Sequence, residues 1–116
     1  MNLTCIDHQN GIIEWEMLDQ LTAANAPAFK EQVLEKSQSL GAQVFILHFG
    51  KESYIDSAGI ATLVTLQRKF KRIKAQIMLC TESEPIREVF FLTKLDKLFP
   101  MELTLQAALE NIRSNL

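Results

Sequence analysis

The stretch from Val44 to Phe70, VFILHFGKESYIDSAGIATLVTLQRKF, restricts the chain to a narrow set of folds. Val44, Phe45, Ile46, Leu47 and Phe49 form an almost unbroken apolar run, the pattern of a strand covered on both faces. Gly50, Lys51, Glu52 and Ser53 are polar and turn-prone, so the chain leaves the sheet there. Apolar residues resume at Ile60 and recur at Leu63, Val64 and Phe70, which is helical spacing. Asp56-Ser57-Ala58-Gly59 falls between the two patterns, where a strand hands over to a helix. Asp56 or Ser57 can cap that helix, because a short side-chain oxygen accepts from an orphan backbone N–H. A hydroxyl is thereby placed at the positive end of a helix dipole, at the edge of a sheet, where anions are favoured. This junction is the candidate functional site.

The flanking segments extend the same scheme. Leu3 to Asp7 and Ile12 to Leu18 read as two strands joined at Asn10-Gly11, a strong hairpin signal because both residues tolerate φ > 0. Asp19 to Asn25 is polar and small, and leads into a helix with Pro27 in its first turn, where the missing N–H is not needed. Ala26, Phe29, Val33 and Leu40 mark its apolar face, and Gly41 ends it. After the helix of Ala58 to Arg72, Ala75 to Cys80 gives a short strand. Ser83 caps a third helix with Ile86, Val89 and Phe90 facing inward. Lys94 to Met101 gives a loop and a short edge strand, and Thr104 caps a last helix carrying Leu105, Ala108, Leu109 and Ile112. The order ββαβαβαβα predicts an α/β fold. It has a mixed sheet of four to five strands, an N-terminal antiparallel hairpin, central parallel strands and about four helices. No linker or repeat divides residues 1–116, so one domain is expected.

Composition narrows the function classes. A formal net charge of −2 argues against a general nucleic-acid binder, which carries a basic surface. Cys5 and Cys80 lie in apolar segments without CxxC-like spacing, which predicts reduced thiols rather than a metal or redox pair. No apolar run approaches the ~18 residues of a membrane-crossing helix, and the N-terminus lacks the regions of a signal peptide. A cytoplasmic protein without membrane insertion is expected. An enzyme would need a nucleophile with a base. Ser57 is not in a G-x-S-x-G elbow, no Gly-rich phosphate loop exists, and the only histidines are His8 and His48. His48 interrupts a buried strand and reads as a satisfied core or edge histidine. No catalysis, cofactor or metal is expected.

The chain resembles a STAS domain, the fold of bacterial anti-sigma factor antagonists. Tyr54-Ile55-Asp56-Ser57-Ala58-Gly59-Ile60 matches the hydrophobic–Asp–Ser–Ser/Ala–Gly–Leu/Ile signature. Leu21 to Ala26 resembles the earlier G-x-L-D-x-x-[TN]-A segment that lies beside the signature in space. Leu95 to Phe99 resembles the late G-L-x-x-x-F stretch, and the element order is the family's. The resemblance implies that Ser57 is phosphorylated by a partner that is both an ATPase-fold serine kinase and an anti-sigma factor. The unphosphorylated form binds this partner, phosphorylation breaks the complex, and a serine phosphatase restores it. Asp56, Ala58, Gly59, Ile60, Tyr54, Thr22 and Asn25 then fall at the partner surface, although helix capping is an equal reading for Thr22 and Asn25. Three positions depart from the pattern: Asp19 and Lys94 stand where glycine is usual, and Thr22 where aspartate is usual.

Two features stand outside that scheme. Arg68, Lys69, Lys71, Arg72 and Lys74 form a basic cluster, read as a solvated face complementing a helix C-terminus or as a steering patch for an acidic partner. Phe90, Phe91 and Leu92 cannot all be buried against one layer, and Phe91 is the expected outlier. Two functional classes remain open: a phosphorylation-controlled binding switch, and a constitutive STAS accessory subunit of an ABC transporter in which Ser57 is only structural.

Overall fold

A computed structural model describes residues 1–115. The strands are β1 (Leu3–Asp7), β2 (Ile12–Met17), β3 (Val44–Phe49), β4 (Gln76–Thr81) and β5 (Met101–Glu102). The helices are α1 (Ala26–Leu40), α2 (Ser57–Arg72), α3 (Glu84–Leu92) and α4 (Leu105–Ser114). The sheet order is β1-β2-β3-β4-β5. β1 and β2 pair antiparallel and every other pair is parallel, with Ile13 beside Phe45 and Phe45 beside Ile77. This is the mixed α/β architecture expected from the sequence.

Strand alternation divides the core into two layers. Ile13, Trp15, Met17, Phe45, Leu47, Phe49, Ile77 and Leu79 point to one face, where they meet Phe29 and Val33 of α1, Leu63, Leu66 and Phe70 of α2, and Ile86 and Phe90 of α3. Ile12, Ile46, Met78 and Cys80 point to the other, where Ala108 and Ile112 of α4 cover them. β3 is therefore apolar on both faces because helices lie on both. Burial, followed by the negative charge of Glu14, pushes the Cys80 thiol up to about 12, so it stays protonated and unreactive.

Several expectations needed correction. The hairpin connection is longer than Asn10-Gly11. Gln9, Asn10 and Gly11 all adopt positive φ (68°, 56° and 80°). Gly11 also directs its carbonyl to the N–H groups of Gln43 and Val44 (2.9 and 3.1 Å), tying the turn to the start of β3. Strand β2 stops at Met17, one residue short of Leu18. On α1 the buried stripe steps by four through Phe29, Val33 and Ser37, and Leu40 is exposed. Ser37 is buried because its hydroxyl accepts the indole N–H of Trp15 at 3.2 Å, which a buried tryptophan requires. Leu92 is exposed to the same degree as Phe91 (68% and 70%), because the short α3 buries only Ile86 and Phe90 fully.

The sheet edge is closed by a side chain. β5 pairs only with Leu79 and Cys80, so the backbone groups of Ile77 have no strand beyond them. Gln67 of α2, fully buried, fills that gap: its Oε1 accepts from Ile77 N–H at 2.7 Å, and its Nε2 donates to Ile77 O at 3.1 Å. The same Nε2 reaches Leu98 O at 2.9 Å, which fixes the chain ahead of β5. Lys94, one of the departures from the family pattern, has φ 62°. Glycine suits that position because it carries no Cβ to clash in the left-handed region.

Gln67→Leu, which keeps the volume but strands three backbone groups, is expected to cost about 3 kcal/mol in urea unfolding. A loss below about 1 kcal/mol would refute the role given to Gln67. Lys94→Gly should gain about 0.5 kcal/mol while Lys94→Val loses about 1 kcal/mol; the same unfolding midpoints in the reverse order would contradict a strained Lys94.

Candidate functional site

Two segments far apart in sequence are stitched together above the end of β3. Leu21 N–H donates to Tyr54 O at 3.1 Å and Asp56 N–H donates to Leu21 O at 3.2 Å, forming a short parallel bridge between Leu21 and Ile55. Tyr54 N–H also donates to Gln20 Oε1 at 2.6 Å. From the other side, the Ser83 hydroxyl donates to Ser53 O at 2.6 Å while accepting from Ile86 N–H at 3.3 Å. The loop of residues 50–56 is thus held at both flanks before it delivers the chain into α2.

Asp56 is the N-cap of α2. Its Oδ1 accepts from Gly59 N–H at 2.9 Å, and its Oδ2 accepts from Ala23 N–H at 3.0 Å. The bond from Gly59, then the bond from Ala23, hold its carboxyl below the ordinary carboxylate range. Gly59 follows from the same packing. A Cβ there would collide with the Leu21 carbonyl oxygen and stand 2.6 Å from Ile55 Cγ1. Gly59 is buried and serves this internal close approach.

Ser57 is the first residue of α2 and is exposed, while its neighbour Asp56 is already committed to two backbone donors. Ala58 and Ile60 are half-buried beside it. Tyr54 is half exposed, and with Thr22, Asn25 and Asp19 it lines an open cleft of about 400 Å³. The Leu21–Ile55 bridge and the Asp56 bond to Ala23 N–H join this cleft's segments to the start of α2, where Ser57 is exposed.

Thr22 and Asn25 do not cap α1 with their side chains. Asn25 occupies the N-cap position but turns back, accepting from Thr22 N–H at 2.9 Å and donating to Gln20 O at 2.6 Å. The Thr22 hydroxyl accepts from Ala24 N–H at 3.3 Å. Asp19 accepts from the backbone N–H of Asn2, so this departure anchors the start of β1. Sequence reasoning missed Gln20 and the backbone contributions of Leu21 and Ala23; a backbone donor leaves no signal in residue identity. The basic cluster includes the last turn of α2, and at 1.5 Å per residue its helical members Arg68 to Arg72 lie about 17–23 Å along the axis from Ser57. Among the described residues no helix is long and apolar enough to cross a membrane.

A mixed five-stranded sheet with a capped, hydroxyl-bearing helix start after its central strand defines a STAS-type module. The chain belongs to the STAS domain family, whose model matches residues 6–108. It is similar to BtrV of Bordetella bronchiseptica, named as an anti-sigma factor antagonist, with 24% identity over 108 residues, 93% of this chain and 91% of that protein. The fold is shared with an anti-sigma factor antagonist from Mycobacterium paratuberculosis (TM-score 0.82, 21% identity, 97% and 93% of the two chains covered). It is shared as well with unphosphorylated SpoIIAA, also an anti-sigma factor antagonist (TM-score 0.78, 14% identity, 97% and 96% covered). The phosphorylated form of SpoIIAA, from Bacillus, aligns with TM-score 0.69 at 12% identity over 95% and 98% of the chains.

Asp56 binds its two donors as a carboxylate, so its contribution to stability is present above the unfolded carboxylate pKa and is lost as pH falls through the lowered folded value. Wild type should therefore lose stability between about pH 5 and pH 3 more steeply than Asp56→Asn, measured by urea unfolding across that range. Parallel pH profiles would contradict the cap.

Proposed function

We propose that residues 1–116 form a single STAS module acting as a phosphorylation-controlled binding switch, an anti-sigma factor antagonist. Unphosphorylated Ser57 permits binding to an anti-sigma factor that is also an ATPase-fold serine kinase. Transfer of a phosphoryl group from ATP to the Ser57 oxygen, releasing ADP and the hydroxyl proton, breaks the complex. A serine phosphatase resets it by hydrolysis. The chain itself performs no catalysis and needs no cofactor.

The observation that carries this reading is the contrast between neighbours. The Asp56 carboxylate is fixed by Gly59 and Ala23, whereas Ser57 is presented outward at the first position of α2. Further support comes from the similarity to proteins named as anti-sigma factor antagonists, and from a protein of the same fold known in both phosphorylated and unphosphorylated forms.

The physics runs in the required direction. A phosphate on Ser57 adds roughly −1.5 to −2 charges at pH 7. The N-terminus of α2 offsets only about 0.3–1 kcal/mol of that at an exposed position, and ionised Asp56 opposes it. Asp56 cannot turn away without giving up both backbone bonds. A partner surface that covers the unmodified hydroxyl would have to desolvate this charge beside a like charge. A few kcal/mol, or about a hundredfold in affinity, is lost from such a mismatch.

Capture from lysate of the source organism with wild type, Ser57→Ala and Ser57→Asp as baits tests the reading. Wild type and Ser57→Ala should retain a small ATPase-fold kinase, and Ser57→Asp should bind that purified kinase about a hundredfold more weakly with an unchanged circular dichroism spectrum. Equal retention of one partner by wild type and Ser57→Asp, such as a transporter ATPase, would overturn the switch.

A further inference from the structure

The sheet face that carries α4 also holds a convergence of side chains that the Ser57 site does not use. Glu14 of β2 points to this face, in line with Ile12, and is only 1% exposed. Its register neighbours are apolar, Ile6 on β1 and Ile46 on β3. Among the described residues only two imidazoles pair with its carboxylate: His8 Nε2 lies 2.8 Å from Oε1 and His48 Nδ1 lies 2.8 Å from Oε2. Two residues further along β2, Glu16 projects to the same face and stands in register with His48 on β3. Donor atoms of Glu14, Glu16 and His48 all lie within 4.8 Å of one another.

We propose that Glu14, Glu16 and His48 form a binding site for a divalent transition cation of the zinc class, bridging β2 and β3. The cation takes Glu14 Oε2, a Glu16 oxygen and His48 Nδ1, each at about 2.0–2.2 Å. The cation displaces the proton that His48 Nδ1 shares with Glu14 Oε2 at 2.8 Å, releasing it to solvent, and the imidazole keeps a proton on Nε2. His8 stays on the other carboxylate oxygen of Glu14 and fixes that ligand's orientation. The site opens outward through Glu16 and through His48, whose side chain is 29% exposed, leaving a fourth position for water.

The chemistry selects the class of cation. One imidazole nitrogen with two carboxylate oxygens suits zinc and its first-row neighbours better than magnesium or calcium, which take oxygen donors. Cys80 lies on the same face in register with His48, but its sulfur is not among the donor atoms that converge here. Each oxygen of the buried Glu14 carboxylate already has an imidazole partner, so the cation takes over the Oε2 contact with His48 while His8 keeps Oε1.

The test uses the full chain stripped with EDTA, with zinc chloride by calorimetry and cobalt(II) by visible absorption. Wild type should bind one equivalent of each, cobalt should give d–d bands of a low-coordinate site, and zinc should raise the melting temperature. Glu16→Gln, a half-buried position that leaves the Glu14–histidine contacts in place, should lose at least about a hundredfold in affinity together with the melting shift. His8→Ala should lose about 10- to 100-fold. No heat and no melting shift with wild type would overturn the site, as would binding by Glu16→Gln equal to wild type.

Discussion

The carboxylate of Asp56 is the contact on which the functional corner depends. One oxygen closes the first turn of α2 through Gly59, and the other crosses to Ala23 in the segment before α1. A single side chain thus sets the start of one helix and the approach to another. The Leu21 carbonyl completes the arrangement by accepting from Asp56 N–H while lying against the bare Cα of Gly59. Because these bonds are made by backbone groups, the corner is rigid without depending on the side chains that face outward. Ser57, Tyr54 and the cleft beside Thr22 therefore sit on a frame held by backbone hydrogen bonds.

Much of this was legible in the residues. The apolar run Val44–Phe49 followed by helical spacing specified a doubly covered strand and the helix after it, and Asp56 was a recognisable cap. The caps Ser83 and Thr104 and the helix stop at Gly41 followed from local hydrogen-bond chemistry. What sequence could not supply were contacts whose partner is backbone or distant. Ser37 is buried because its hydroxyl accepts from Trp15, a contact 22 residues away in sequence. Asn25 looked like a cap for α1, but its amide found nearer partners in Gln20 and Thr22. The hairpin grew beyond Asn10-Gly11 because the turn also serves the start of β3. Gln67 sat at core spacing with Leu63 and Phe70, an inside position occupied by a polar residue. That was the available signal of its role.

The two faces of the sheet are built on different terms. Three helices cover one face and leave it almost wholly apolar. On the other, α4 covers a smaller cluster centred on Ile46 and Met78, and β2 carries the buried Glu14 and the half-buried Glu16. The polar contacts of Glu14 with His8 and His48 take over where apolar packing ends. The helix that begins at Ser57 and the Glu14 cluster thus lie on opposite faces of the sheet, and a substitution at one need not disturb the other.

The short last strand has a consequence for self-association. A parallel sheet that ended on an uncovered β4 would offer a row of free amide and carbonyl groups to any extended chain, the usual template for edge-to-edge aggregation. Here the vulnerable groups of Ile77 are already occupied by the amide of Gln67. An incoming strand would have to displace a buried side chain before it could form its first bond. The amide of one buried side chain thus does at this border what a further strand would otherwise have to do.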